Sequence, residues 1–218
     1  MAIPKLIIGN KNYSSWSLRS WLILKKLGIE FEEIRIPLFT EGYKERLLQY
    51  SPTGQVPVYI EDDLVIWETI AIAEYLAEQH PFLLPKDKQK RAIARSLAAE
   101  MHANFMPLRS QMPMNCRAIG RQVKLTPGLA TDIERIKTIW TNCRQQNESE
   151  GSWLFGDFTM VDAMFAPVVF RFNTYGVSGN RLINEYMNTV LNEPNIKQWH
   201  EAAKNETETI EKQELGIK

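Results

Sequence analysis

The feature that most restricts this chain is a strand, a helix and a second strand in immediate succession at its start. Leu6-Ile7-Ile8 is a short apolar run bounded by charge and by Gly9, the signature of a buried strand. From about Ser15 to Leu27, the residues Leu18, Trp21, Leu22 and Leu24 recur on one broad side, and Gly28 suits a left-handed helix stop. Phe31 to Ile36 then alternates, with Ile34 and Ile36 against Glu33 and Arg35. Strand, helix and strand in this order favour a parallel pair with a right-handed crossover. The loop before the helix is Asn12-Tyr13-Ser14-Ser15-Trp16. Its hydroxyls read as helix caps, or as groups placed where orphan N–H donors and the helix dipole favour a developing negative charge.

The pattern continues after Pro37 with a short helix around Tyr43 to Gln49 and a turn at Ser51-Pro52-Thr53-Gly54. Gln55 to Ile60 resumes strand residues, and Asp62-Asp63 turns them back into Leu64-Val65-Ile66-Trp67. Pro57 inside a strand removes a ladder donor. It marks either an edge strand or a special backbone with a cis bond. Glu68-Thr69 opens the next helix, which runs to about Gln79 and stops at His80-Pro81. A carboxylate in a first turn complements the helix dipole, and it would equally hold a ligand ammonium group. Residues 1–82 therefore read as a small α/β domain.

Beyond the linker at Leu83 to Asp87 the pattern turns wholly helical, giving a second domain over residues 88–218. A long helix is expected from Lys90 to about Met112, kinked and broken by Pro107 and Pro113. Phe105, Met106, Arg109, Met112 and Met114 cluster there, as core or as an apolar substrate wall. A second helix is expected from Leu129 to Gln146. Thr159-Met160-Val161-Asp162 is a capping box ahead of a helix apolar on nearly every side, which belongs in the centre of a bundle. Two more helices are expected around Leu182 to Asn192 and Ile196 to Asn205, and a frayed, charged tail over the last ten residues.

Composition excludes several classes. Lys and Arg total 26 and so do Asp and Glu, so no net charge draws the chain to nucleic acid or an anionic membrane. No run approaches a membrane span, and the start lacks the layout of a signal peptide, so a cytoplasmic protein is expected. Cys116 and Cys143 are too few for a disulfide framework or a zinc site, and both read as reduced core or interface residues. His80, His102 and His200 fall into no metal-ligand pattern and read as surface or cap residues. No metal is expected.

A β-α-β-β-β-α domain joined to a helical one, with S-S-W-S-L-R, S-P-T-G-Q-V-P-V, I-W-E-T-I-A-I-A-E-Y-L and G-D-F-T-M-V-D, resembles the cytosolic glutathione transferase family along essentially the whole chain. The resemblance implies an α/β plus all-α architecture, with a thioredoxin-like first domain and a C-terminal helical bundle. It also implies glutathione as co-substrate and a homodimer. On the matching motifs, Ser14 is the catalytic hydroxyl that bonds the glutathione sulfur, with Ser15 its nearest substitute. Gln55, Val56, Pro57, Glu68 and Thr69 bind the tripeptide. A small electrophile would sit between Trp16, Phe39 and the segment carrying Phe105, Arg109 and Met112, with Arg109 orienting an anionic substrate. The S-S-W-S-L-R run is most similar to the zeta-like, serine-type bacterial branch, whose pattern is S-S-C, and Trp16 in place of that cysteine weakens a maleylacetoacetate isomerase assignment. Neither catalytic position holds the cysteine of omega-like and beta-like branches.

Two functions of different class compete: a glutathione transferase, with isomerisation or peroxide reduction through the same thiolate left open, and a non-catalytic ligand- or protein-binding member of the same fold. Retention of Ser14 with Val56-Pro57 and Glu68-Thr69 favours the enzyme. An unrelated thioredoxin-like redox protein fails on the missing cysteine pair.

Overall fold

The computed structural model describes residues 3–217. Strand β1 (Lys5–Ile8) leads into helix α1 (Ser15–Leu27), then β2 (Glu32–Arg35), α2 (Tyr43–Leu48), β3 (Val58–Glu61), β4 (Leu64–Trp67) and α3 (Thr69–Gln79). The sheet order is β2-β1-β3-β4, with β1 and β2 parallel and the other pairs antiparallel. The parallel pair follows from the strand–helix–strand start. Helix α1 ends as its glycine dictates: Gly28 sits at φ 67°, and its N–H returns to the carbonyls of Leu24 and Lys25.

The helical part comprises α4 (Lys88–Ala103), α5 (Met106–Gln111), α6 (Pro127–Asn147), α7 (Met160–Thr174), α8 (Arg181–Asn192) and α9 (Pro194–Lys204). The single kinked helix expected from Lys90 to Met112 is two helices. Phe105 adopts a left-handed φ of 65° at the joint, and Pro107 opens the second helix. A proline ring closes off the preceding helical turn and suits a helix start, so the break falls just upstream of it.

Every residue of α7 except Asn173 is buried, as its all-round apolar pattern requires. A single apolar cluster runs from β1 and β3 through α1 and α3 into α4, α6, α7 and α9. The sheet and the bundle therefore share one core. The opposite face of the sheet carries a smaller cluster of Ile7, Ile36, Leu47 and Val58.

The tail departs most from expectation. Residues 206–217 are strapped across the molecule rather than frayed. Both oxygens of the Glu206 carboxylate accept from the loop ahead of α1, from Lys11 N at 2.7 Å and Asn12 N at 3.0 Å. Glu214 accepts from the Tyr13 hydroxyl at 2.6 Å, from Asn115 Nδ2 at 2.8 Å and from Arg121 at 2.7 Å. Charged residues that look solvated in the sequence are here partners of main-chain N–H groups and arginines. Among the described residues no helix is long and apolar enough to cross a membrane.

Candidate functional site

Two adjoining cavities open where α1, the β3 entry and the start of α3 meet the bundle. The larger, about 460 Å³, is lined by Ser14, Ser15, Trp16, Phe39, Gln55, Val56, Arg109 and Arg171, with Ile210 and Gln213 from the tail. The smaller, about 220 Å³, is lined by Trp16, Gln55, Val56, Pro57, Glu68, Thr69 and His102.

Ser14 caps α1. Its Oγ accepts from Ser17 N at 3.3 Å and lies 2.8 Å from Ser17 Oγ. Ser17 Oγ in turn accepts from Gly9 N at 3.0 Å. Each hydroxyl carries one proton. When Ser17 donates to Ser14, the Ser14 proton is free to point into the cavity. The cap and the outward donor are thus compatible in one side chain. Ser15 Oγ accepts from the buried Arg171 at 3.2 Å, so the two serines stand in the same wall with different partners.

Val56 precedes a cis peptide bond to Pro57. Among the described residues, the Val56 N–H and carbonyl take no hydrogen bond, so its main chain is available to an extended ligand. Glu68 sits at φ 69°, ψ 122°, a conformation costing a non-glycine residue about 1–3 kcal/mol. Its carboxylate is half exposed and caps nothing. The first N–H groups of α3 lack a side-chain cap, leaving a dipole-supported anion site beside that carboxylate. Thr69 Oγ1 donates to Trp16 O at 3.4 Å, tying α3 to α1. A carboxylate, uncapped helix N–H groups and the unpaired main chain of Val56 in one groove fit a zwitterionic peptide.

Two arginines, Arg19 and Arg109, flank Trp16, and a third, Arg171, shares the cavity wall with it. The guanidinium carbons of Arg19 and Arg109 lie 4.3 and 4.6 Å from its ring centroid. Burial lowers the pKa of all three, that of Arg109 to about 10 and that of Arg171 to about 9, which leaves the latter two charged at neutral pH. Arg109 donates to the carbonyls of Asn104 and Met101, and Arg171 to that of Met112. The larger cavity holds Lys44, Arg109 and Arg171, and no carboxylate lines it among the described residues.

The structure thus brings Ser14, Ser15, Trp16, Phe39, Gln55, Val56, Pro57, Glu68, Thr69 and Arg109 together. Phe105 and Met112 stand apart: they are 5% and 1% exposed, and pack in the shared core. Their helix reaches the cavity through Arg109 instead. Arg171, His102, Ser17 and the tail residues were not singled out from sequence. Arg171 alone left a signal, as the one basic residue of a strongly apolar helix. Cys116 and Cys143 are free and buried. Among the described residues no group of His, Cys, Asp or Glu could hold a metal ion.

Residues 13–79 match the family model described as glutathione S-transferase, N-terminal domain. A probable maleylacetoacetate isomerase of Caenorhabditis elegans is 39% identical over 172 residues, covering 75% of this chain and 76% of the relative. The maleylacetoacetate isomerase of Rattus norvegicus is 38% identical over 177 residues, 76% of each chain. Among solved structures, a glutathione transferase homologue from Burkholderia gl BGR1 with bound glutathione superposes at a TM-score of 0.72. It covers 94% of this chain and 100% of that one at 24% identity, which is a likeness of fold.

Proposed function

The chain belongs to the cytosolic glutathione S-transferase family, and from that premise we propose that Ser14 activates the glutathione thiol for attack on a small, carboxylate-bearing electrophile. Glutathione is its co-substrate and supplies the nucleophile, the thiolate. Glu68 takes the α-ammonium of the γ-glutamyl group, and Thr69 with the uncapped start of α3 takes its carboxylate. Val56 pairs its free main chain with the cysteinyl residue, Pro57 holds that loop, and Gln55 reaches the remaining polar groups. This places the sulfur at the N-terminus of α1, where the Ser14 hydroxyl donates to it.

A free thiol of pKa ~8.5 is mostly protonated at neutral pH, and a donor at a helix N-terminus lowers that value. Each unit of lowering corresponds to about 1.4 kcal/mol. With Ser17 as the donor to Ser14, the Ser14 proton is directed outward, so no general base is needed to free it.

The single observation that carries the substrate class is the larger cavity, with Lys44, Arg109 and Arg171 on its wall and no carboxylate among the described lining residues. An uncompensated cationic wall discriminates by charge. We expect a halogenated or unsaturated carboxylic acid to exceed its methyl ester in kcat/KM by about tenfold or more, the value of one charge-assisted hydrogen bond. Arg109→Ala should reduce that preference, with Lys44 and Arg171 still on the wall. An ester that reacts as well as its acid would refute the substrate class.

A second reading is glutathione-dependent isomerisation, favoured by the 39% and 38% identical relatives named maleylacetoacetate isomerases. Trp16 in place of cysteine speaks against it from sequence. The chemistry uses the same residues: a C–S bond forms on a conjugated double bond, the former double bond rotates, and the thiolate leaves. Recovery of glutathione unconsumed while the acid changes geometry would favour this reading over conjugation.

Glutathione binding is the direct test of the site. By calorimetry, Glu68→Ala is expected to raise Kd about tenfold or more, because it leaves the ligand ammonium without a partner. Unchanged binding would remove the assignment. The family implies a homodimer, with Leu64 and Trp67 exposed on the edge strand β4 and Ile93 on α4 as apolar surface for it. A monomeric mass in light scattering would overturn that arrangement.

A further inference from the structure

The smaller cavity contains a side chain that belongs to the bundle rather than to the sheet domain. His102, in the last turn of α4, faces Glu68 across the cavity, with Nε2 at 3.8 Å from Glu68 Oε2. Its ring meets that of Trp16 edge-on at 5.2 Å between centroids. Its Nδ1 is sealed from solvent and, among the described residues, has no hydrogen-bond partner.

Those contacts decide where the imidazole proton sits. A proton on Nδ1 would be a buried donor with nothing to accept it, which is costly. The neutral ring therefore carries its proton on Nε2, the nitrogen facing Glu68. The charged groups around the ring are Glu68 on the sheet side and Arg19 and Arg109 on the α1 and α5 sides. Burial and the two arginines hold the imidazole neutral, against the pull of Glu68. A neutral donor orients a carboxylate without cancelling its charge. A permanent cation there would compete with a ligand ammonium for the same oxygens.

We propose that His102 is a positioning residue for Glu68, its Nε2–H steering the carboxylate toward the α-ammonium of the γ-glutamyl group, so that the bundle forms part of the glutathione site. The proposal rests on the reading of Glu68 as the ammonium acceptor. The left-handed backbone of Glu68 fixes where its side chain starts, but a half-exposed carboxylate still rotates. The 3.8 Å separation lies just beyond hydrogen-bond range, so a modest rotation of either side chain closes the contact as the ligand arrives.

The test compares two ligands by calorimetry: glutathione, and glutaryl-cysteinylglycine, which lacks the α-amino group. His102→Ala should raise the Kd for glutathione about five- to tenfold, the worth of one oriented hydrogen bond. It should leave the Kd for the desamino analogue within about a factor of two. His102→Gln, whose amide nitrogen reaches the place of Nε2, should restore most of the glutathione affinity. Equal weakening of both ligands by His102→Ala would mean a general packing role and overturn the proposal. No weakening of glutathione by His102→Ala, with Glu68→Ala still damaging, would overturn it while leaving the Glu68 assignment intact. If Glu68→Ala has no effect either, both fail together.

Discussion

Replacing Ser14 by alanine should lower kcat/KM about tenfold to a hundredfold, with the KM for glutathione much less affected. The estimate follows from one hydrogen bond to a charged group, worth about 1.5–3 kcal/mol, made to the thiolate and lost with the hydroxyl. The same substitution should return the bound thiol toward its free pKa of ~8.5, read from the ultraviolet absorbance of the thiolate against pH. Ser14 also caps α1 through Ser17 N, and losing a cap costs about 0.5–2 kcal/mol. Thermal midpoints must therefore be measured alongside, and Ser14→Thr should keep both hydroxyl and cap. The parallel variant Ser15→Ala removes a partner of Arg171 and should leave the thiol pKa closer to that of the parent. A full rate in Ser14→Ala, with the loss appearing in Ser15→Ala, would transfer the role by one position.

The largest effect on stability should come from Asp162→Ala. Both oxygens of this fully buried carboxylate are used: Oδ1 accepts from Leu154 N at 3.1 Å, and Oδ2 from Thr159 N at 2.8 Å and Thr159 Oγ1 at 3.0 Å. The capping box it forms with Thr159 starts the helix on which the bundle is built. Truncation leaves two buried N–H groups without acceptors, each costing about 1–3 kcal/mol, and removes the cap. A total near 3–5 kcal/mol corresponds to a fall of about 10 °C in Tm for a chain of this size. A shift of only a degree or two in thermal denaturation would refute the account.

The same carboxyl carries a pH signature. Burial pushes its pKa up to about 6, against the hydrogen bonds that lower it. The folded state then holds a proton, between the ordinary carboxyl value and about 6, that the unfolded chain has released. The stability this group contributes is full below its unfolded pKa and is lost as pH rises through about 6. Asp162→Asn removes that titration. The stability of wild type relative to this variant should therefore grow as the solution is taken from about pH 7 to about pH 4, measured as denaturant midpoints.

Much of the architecture could be read in advance because it rests on local rules. The apolar run at Leu6–Ile8, the stripe ending at Gly28 and the capping box at Thr159 each state their own element. The sheet-side lining of the candidate site, Ser14, Val56-Pro57 and Glu68-Thr69, could be picked out because each lies near the end of a strand or the start of a helix. The bundle side was not. Phe105 and Met112 have the composition of a substrate wall, yet the left-handed turn at Phe105 sends them into the core and leaves Arg109 at the cavity. His102 sits among ordinary helical residues, and only the packing of α4 against Trp16 brings it to Glu68. The tail misled most. Glu206 and Glu214 look like solvated charges until their long-range partners Lys11, Asn12, Tyr13 and Arg121 are placed beside them.

That strap sets an order of events during synthesis. A ribosome releases the sheet-forming residues first, with β1, α1 and the serine loop made long before Glu206 or Glu214 exists. Until residues 206–213 have left the exit tunnel, the N–H groups of Lys11 and Asn12 lack their carboxylate and the cavity lacks Ile210 and Gln213. Domains emerging N-terminus first can begin to fold as units, but here the loop that opens α1 is completed by a residue 195 positions further along the chain. A nascent chain stalled before residue 206 would hold every sheet-side ligand contact and still be an incomplete enzyme. The segment 206–217 thereby acts as a completion mark, separating chains that have reached it from those cut short before it.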